Sequence, residues 1–188
     1  MEFGKILILA VIFLTGIVFG VLGSYHFFTS SFHFPVEIGP DQIIPITDQD
    51  YFPYVHKLLS SSNESVHMVM FSVNYYPDYP ESKENYLLDD LIELAERGID
   101  VKIVTDQFQT EKPVLTYLSN NGVQIKYDSG DRTTRSKLII IDRKYVFIGS
   151  TNWGYYSIER NHEANVLVYS SKLAEQFEGY FQGVWNEI

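Results

Sequence analysis

A mixed β-sheet flanked by helices, in the α/β class, is the fold this sequence predicts, and three observations predict it. Between residues 54 and 127, short apolar runs alternate with segments whose apolar residues recur at helical spacing. Two adjoining strand-like runs, 137–141 and 145–148, then form a hairpin turned at Asp142-Arg143-Lys144. The 188 residues include 14 Tyr and 13 Phe with a 20% charged fraction, so a compact core is expected rather than disorder. Strands alternating with helices give a layered sheet, and the hairpin makes it a mixed one.

The elements follow in order. Residues 6–28 are 23 residues without a formal charge, rich in Ile, Leu, Val and Phe. At about 1.5 Å per residue such a helix crosses a hydrocarbon core of roughly 30 Å, so residues 1–28 are expected to form a single-pass transmembrane anchor. A cleaved signal peptide is the competing reading, with Val21-Leu22-Gly23 as its small-residue site. Lys5 precedes the span and no Lys or Arg follows until Lys57, which places the domain outside the cytoplasm. Residues 29–46 carry Pro35, Pro40 and Pro45 and read as a tether, leaving 47–188 as the folded domain.

That domain opens with a helix near Asp50, since Pro53 belongs in a first turn and Thr47, Asp48 and Asp50 are capping types. Residues 66–73 (VHMVMFSV) suit a strand buried on both faces. Leu87, Leu88, Leu91, Ile92 and Ala95 mark a helix that Gly98 ends, and residues 101–105 a second strand. Val114, Leu115 and Leu118 mark another helix, closed near Asn121-Gly122, followed by a third strand over 123–127. Beyond the hairpin come a strand over 164–169 and a last helix, with Ser171 as its cap and Leu173, Phe177, Tyr180, Phe181, Val184 and Trp185 on one face.

Composition narrows the function. With no cysteine, disulfides and thiolate metal sites are excluded, and five scattered histidines do not make a zinc motif. The net charge of −10 argues against coating nucleic acid over the whole surface. Yet residues 132–160 hold six basic residues against two acidic ones, a local cationic patch.

Inside that patch lies KLIIIDRKYVFIGSTN, residues 137–152. Side chains alternate along a strand, so Arg135 and Lys137 share a face while Asp142 has the opposite parity. Ser150 and Asn152 share a face, as do Asn161 and Glu163, and these groups can meet at one sheet edge. A lysine, an amide and a hydroxyl together make a phosphate cradle. Singly, each residue fits an ordinary hairpin; together, their spacing resembles the HxKxxxxDxxxxxxGSxN motif of the phospholipase D-like phosphodiesterases. The resemblance covers residues 45–188 and is nearest to single-motif members, the EDTA-resistant nucleases and cardiolipin hydrolase-like proteins.

That resemblance implies the phospholipase D-like fold and phosphodiester hydrolysis without metal or cofactor. One motif histidine attacks phosphorus, a second protonates the leaving oxygen, and a homodimer supplies both. It implies that Lys137 and Asn152 hold the phosphate, Ser150 supports the loop, Glu163 orients the histidine and Asp142 is structural. The substrate would be single-stranded nucleic acid or phospholipid. The histidine position, however, holds Arg135. A guanidinium, with a pKa above about 12 and no free lone pair, cannot act as nucleophile or base near neutrality, although it binds phosphate well. Three readings follow: an impaired phosphodiesterase, a non-catalytic diester-binding membrane protein, or a variant of an active enzyme with arginine at position 135. Glu163 is expected to pair with Arg135. His162 is expected to face away and His67 to be a core residue. The tyrosines of residues 75–80 border the cleft or pack in their own loop.

Overall fold

The structure, a computed structural model, describes residues 42–188. Seven strands form one sheet: β1 (Ile43–Thr47), β2 (Ser65–Met70), β3 (Asp100–Thr105), β4 (Gln124–Tyr127), β5 (Lys137–Ile141), β6 (Tyr145–Gly149) and β7 (Ala164–Tyr169). Their order is β1-β7-β6-β5-β2-β3-β4. β2, β3 and β4 run parallel, and every other neighbour is antiparallel. The helices are α1 (Tyr51–Ser60), α2 (Lys83–Glu96), α3 (Lys112–Asn120), the short α4 (Tyr155–Glu159) and α5 (Ser171–Asn186). This is the expected mixed sheet with helices on both faces.

Alternation along the central strands divides the core in two. Val66, Met68, Met70, Ile139, Ile141 and Phe147 face Val55, Leu59, Leu87, Leu91 and Leu118 of α1, α2 and α3. Val69, Val104, Leu138, Ile140 and Val146 face Ala174 and Phe181 of α5. β2 is buried at every position, as its unbroken apolar run requires. His67 is a core residue of the α5 face: its ring stacks on Phe181 at 4.6 Å, and its nitrogens meet Glu178 at 2.8 Å and Asp100 at 3.2 Å. Gly98 (φ 80°) and Gly122 (φ 88°) end α2 and α3 in the left-handed conformation that glycine adopts freely.

Several expectations need correction. Residues 43–46 are no tether, because they pair with β7 as an edge strand. Pro45 is tolerated there since an edge strand leaves one side unpaired, and Ile46 tucks into the core. Ser170, not Ser171, caps α5, its hydroxyl accepting from the Leu173 amide at 3.4 Å. Tyr180 stands half-exposed outside the helix's buried stripe. The single-pass membrane location is also corrected, because no helix among the described residues is long and apolar enough to cross a bilayer. Residues 6–28, on which that expectation rested, lie outside the described residues.

Candidate phosphodiester site

The hairpin explains the motif's spacing. Lys137 opens β5, Asp142 and Arg143 turn the chain with φ of 52° and 51°, and β6 returns. Leu138 pairs with Ile148, so Gly149 comes back beside Lys137. Gly149 in turn faces Asn165 on β7. A Cβ at 149 would lie 2.6 Å from the Ala164 carbonyl oxygen and against Asn165 Oδ1, so only glycine fits. The end of β2 arrives at the same edge, where the Phe71 amide donates to Ser136 O at 2.8 Å and the Trp153 amide to Ser72 O at 3.0 Å. Residues 71–73, 135–137, 149–153 and 163–165 therefore share one end of the sheet.

At that end, the Glu163 carboxylate accepts from the Ser150 hydroxyl and from the Asn161 amide, the latter at 3.2 Å. Ser150 Oγ also accepts from the Ala164 amide at 3.0 Å, which locks the loop to β7. Asp48, expected near a helix cap, instead accepts from the Glu163 amide at 2.8 Å. Buried Asn165 donates to Thr151 Oγ1 at 2.9 Å. The side-chain oxygen of Asn152 is buried without a hydrogen-bond partner among the described residues. Such an orphan is costly unless function or a ligand answers it.

Lys137 and Arg135 share an aromatic platform. Lys137 Nζ lies 4.7 Å and the Arg135 guanidinium carbon 5.3 Å from the Phe71 ring centroid. Lys137 Nζ also donates to Arg135 O at 3.1 Å. Partial burial pulls the Lys137 pKa below the ordinary lysine value; Glu163 opposes that shift and Arg135 adds to it. The expected Arg135–Glu163 ion pair is absent among the described residues; the Glu163 carboxylate meets Ser150 and Asn161 instead. Two grooves meet at Arg135. One, of about 300 Å³, runs past Lys137, Gly149, Phe177 and Tyr180. The other, of about 430 Å³, runs past Arg132, Thr133 and Tyr180.

Asp142 stands apart. Five residue steps along β5, roughly 16 Å at about 3.3 Å per residue, separate it from Lys137. Its carboxylate accepts from Ser62 Oγ at 2.7 Å and from the amides of Glu64 (2.8 Å), Asn63 (3.1 Å) and Ser65 (3.2 Å). Distance along the strand, rather than parity, is what removes it from the site. His162 faces Asp48 at 3.4 Å and solvent. Sequence reasoning missed Asp48, Phe71 and Asn165 as parts of the site; only Phe71, just past a buried strand, left a signal.

Residues 55–185 match the family model described as "Cardiolipin synthase, PLD-like domain". The chain belongs to this family. Among curated relatives, the mitochondrial cardiolipin hydrolase of Mus musculus is 26% identical over 97 residues, covering 50% of this chain and 44% of that protein. The phospholipase D of Rickettsia typhi is 25% identical over 126 residues, 66% of this chain and 57% of that one. The chain thus spans less than two thirds of either relative. Among solved structures, Nuc from Salmonella typhimurium, a phospholipase D family member, superposes with a TM-score of 0.66 at 26% identity. That match covers 77% of this chain and 94% of Nuc. The PLD-like fold positions strand ends and loops so that Lys137, Ser150, Asn152 and Glu163 gather at one rim of the sheet.

Proposed function

We propose that this PLD-like domain binds a phosphodiester at the Lys137 edge and hydrolyses it poorly or not at all, because Arg135 occupies the nucleophile's position. The observation that carries this is the pairing of Arg135 with Lys137 over Phe71, two cations at one strand end with no carboxylate ion-paired to either among the described residues. Lys137 supplies charge to a non-bridging oxygen, the Asn152 amide donates to another, and Arg135 adds a two-pronged contact. Ser150 and Glu163 brace the loop that carries Asn152.

Hydrolysis in the manner the motif implies needs an imidazole nitrogen to form a bond to phosphorus as the leaving alcohol departs with a proton from a second imidazole. Water then breaks the phosphorus–nitrogen bond. Two copies of a single-motif chain would supply the two imidazoles from a shared two-fold site. Arg135 offers no lone pair for the first step and holds its protons too tightly for the second.

The test is an assay in EDTA of single-stranded DNA, RNA and cardiolipin, comparing the chain carrying Arg135 with Arg135→His. Binding without turnover is expected from the Arg135 chain, and turnover is expected to appear in Arg135→His. Cleavage by the Arg135 chain, with a trapped phosphorylated enzyme, would overturn the proposal. Silence from both with binding retained favours a purely binding domain. Loss of binding in Lys137→Ala confirms which edge is used.

A further inference from the structure

A third groove lies beside this site, where the loop after β2 meets the start of α4. Its volume is about 830 Å³. Its walls are Tyr76, Tyr79, Tyr155 and Tyr156, with Asp78 and Glu81 among them and no lysine or arginine in the lining. Tyr79 and Tyr156 are each 71% exposed, an unusual outlay of aromatic surface on a charged chain. Asp78 and Glu81 take no part in the ion pairs found among the described residues.

The groove is braced rather than loose. Buried Asn85 on α2 clamps the loop, accepting from the Tyr76 amide at 3.0 Å and donating to the carbonyls of Tyr76 (2.8 Å) and Tyr79 (3.0 Å). Tyr76 OH accepts from Asn74 Nδ2 at 3.1 Å and from the Tyr155 amide at 3.2 Å, which joins the two walls. Tyr155 and Tyr156 stand edge to face, with centroids 5.4 Å apart and planes at 78°. One of these rings already engages a cation: the Arg160 guanidinium carbon lies 5.8 Å from the Tyr155 centroid, and Arg160 Nε donates to Tyr155 OH at 3.1 Å.

Ring faces attract cations, and fixed ring walls do so without paying to assemble. Two unpaired carboxylates supply the matching charge. A nucleobase could stack on the same rings, but its phosphates would then approach Asp78 and Glu81. We propose that this groove binds an organic ammonium ion, with the tyrosine rings around its methyl or methylene shell and Asp78 and Glu81 balancing its charge. Three residue steps lead from Asn152 to Tyr155, at most about 10 Å of chain. An ammonium carried by the phosphodiester itself and a separate ammonium group are therefore both within reach, and both have the chemistry the groove recognises.

The experiment titrates the full chain with tetramethylammonium, with choline and with 3,3-dimethyl-1-butanol, choline's uncharged isostere, following tyrosine signals by NMR. Saturable binding of both cations is expected, with the isostere roughly ten-fold weaker or worse. Tyr156→Ala, and separately Asp78→Asn with Glu81→Gln, should each weaken tetramethylammonium about five-fold while the circular dichroism stays unchanged. Glycerophosphocholine separates the sources. If it binds more tightly than tetramethylammonium and Lys137→Ala removes only the excess, the ammonium rides on the diester; if the two bind equally, it comes from a separate group. Failure of the diester proposal would leave tetramethylammonium binding intact. Absence of saturable tetramethylammonium binding, or equal binding of the neutral isostere, would overturn the groove's assignment.

Discussion

At one end of β5, the Asp142 carboxylate accepts from the Ser62 hydroxyl and the amides of Asn63, Glu64 and Ser65, and its backbone turns a left-handed corner. At the other end, Lys137 and Arg135 lie over Phe71 with no carboxylate ion-paired to either among the described residues. A single motif thus joins one residue whose polar capacity is spent on folding to others whose capacity remains open. The difference teaches that regular spacing in a motif can record the geometry of a hairpin as much as the chemistry of a reaction. Lysine, aspartate and glycine recur at their intervals because a strand goes out, turns and comes back.

Removing the saturated end should have the largest effect. Asp142→Ala strips the acceptor from the Asn63, Glu64 and Ser65 amides and places alanine at φ 52°. A loss of about 3 kcal/mol is expected, read as a lower urea midpoint. Asp142→Asn tolerates that backbone and keeps an acceptor, so it should cost less. Burial alone would raise the Asp142 pKa, but the Ser62 hydroxyl and the Glu64, Ser65 and Asn63 amides outweigh it and hold the group below the ordinary value. A depressed carboxylate contributes stability above the unfolded value of about 3.9 and loses it as pH falls through the folded one. The acid limb of the stability curve should therefore be flatter in Asp142→Asn. An unchanged limb would mean that the carboxylate is not the acid-sensitive group here.

At the open end the expectation reverses. Lys137→Ala should weaken binding of a short phosphodiester by roughly thirty-fold, about 2 kcal/mol, while the urea midpoint hardly moves. Equal losses of binding and of stability would break the contrast between the two ends.

The legible parts of the molecule were those governed by local rules. The apolar run of β2, the helical stripes of α2 and the glycines at 98 and 122 each reflect constraints acting over a few residues. The hairpin carried Lys137 and Gly149 to one place for the same reason. β1 escaped notice because an edge strand needs only one buried side chain, Ile46, and tolerates Pro45. α4 spans five residues, too few for a helical period to show. Asp48 meets Glu163 across 115 positions, and the tyrosine groove joins residues 76–81 to 155–156; no spacing rule reaches that far. Strand parity puts Arg135 and Glu163 at one edge but does not fix which partner each side chain takes, and Glu163 takes Ser150 and Asn161.

The smallest effect is also the sharpest probe of that edge. Lys137 is pulled below the ordinary lysine value by burial, with Arg135 lowering it further and Glu163 raising it. Its charge is present below its pKa and is lost as pH rises through that value, so diester binding should fade on the alkaline side earlier than an exposed lysine would allow. Glu163→Gln withdraws the one raising influence and should move the loss to lower pH. Arg135→Ala withdraws a lowering one and should move it to higher pH. Following the Lys137 ammonium by NMR in the two variants reads both shifts in opposite directions. No shift in either variant would mean that Lys137 answers to burial alone, and the cationic pair over Phe71 would then be neighbours without electrostatic consequence for each other.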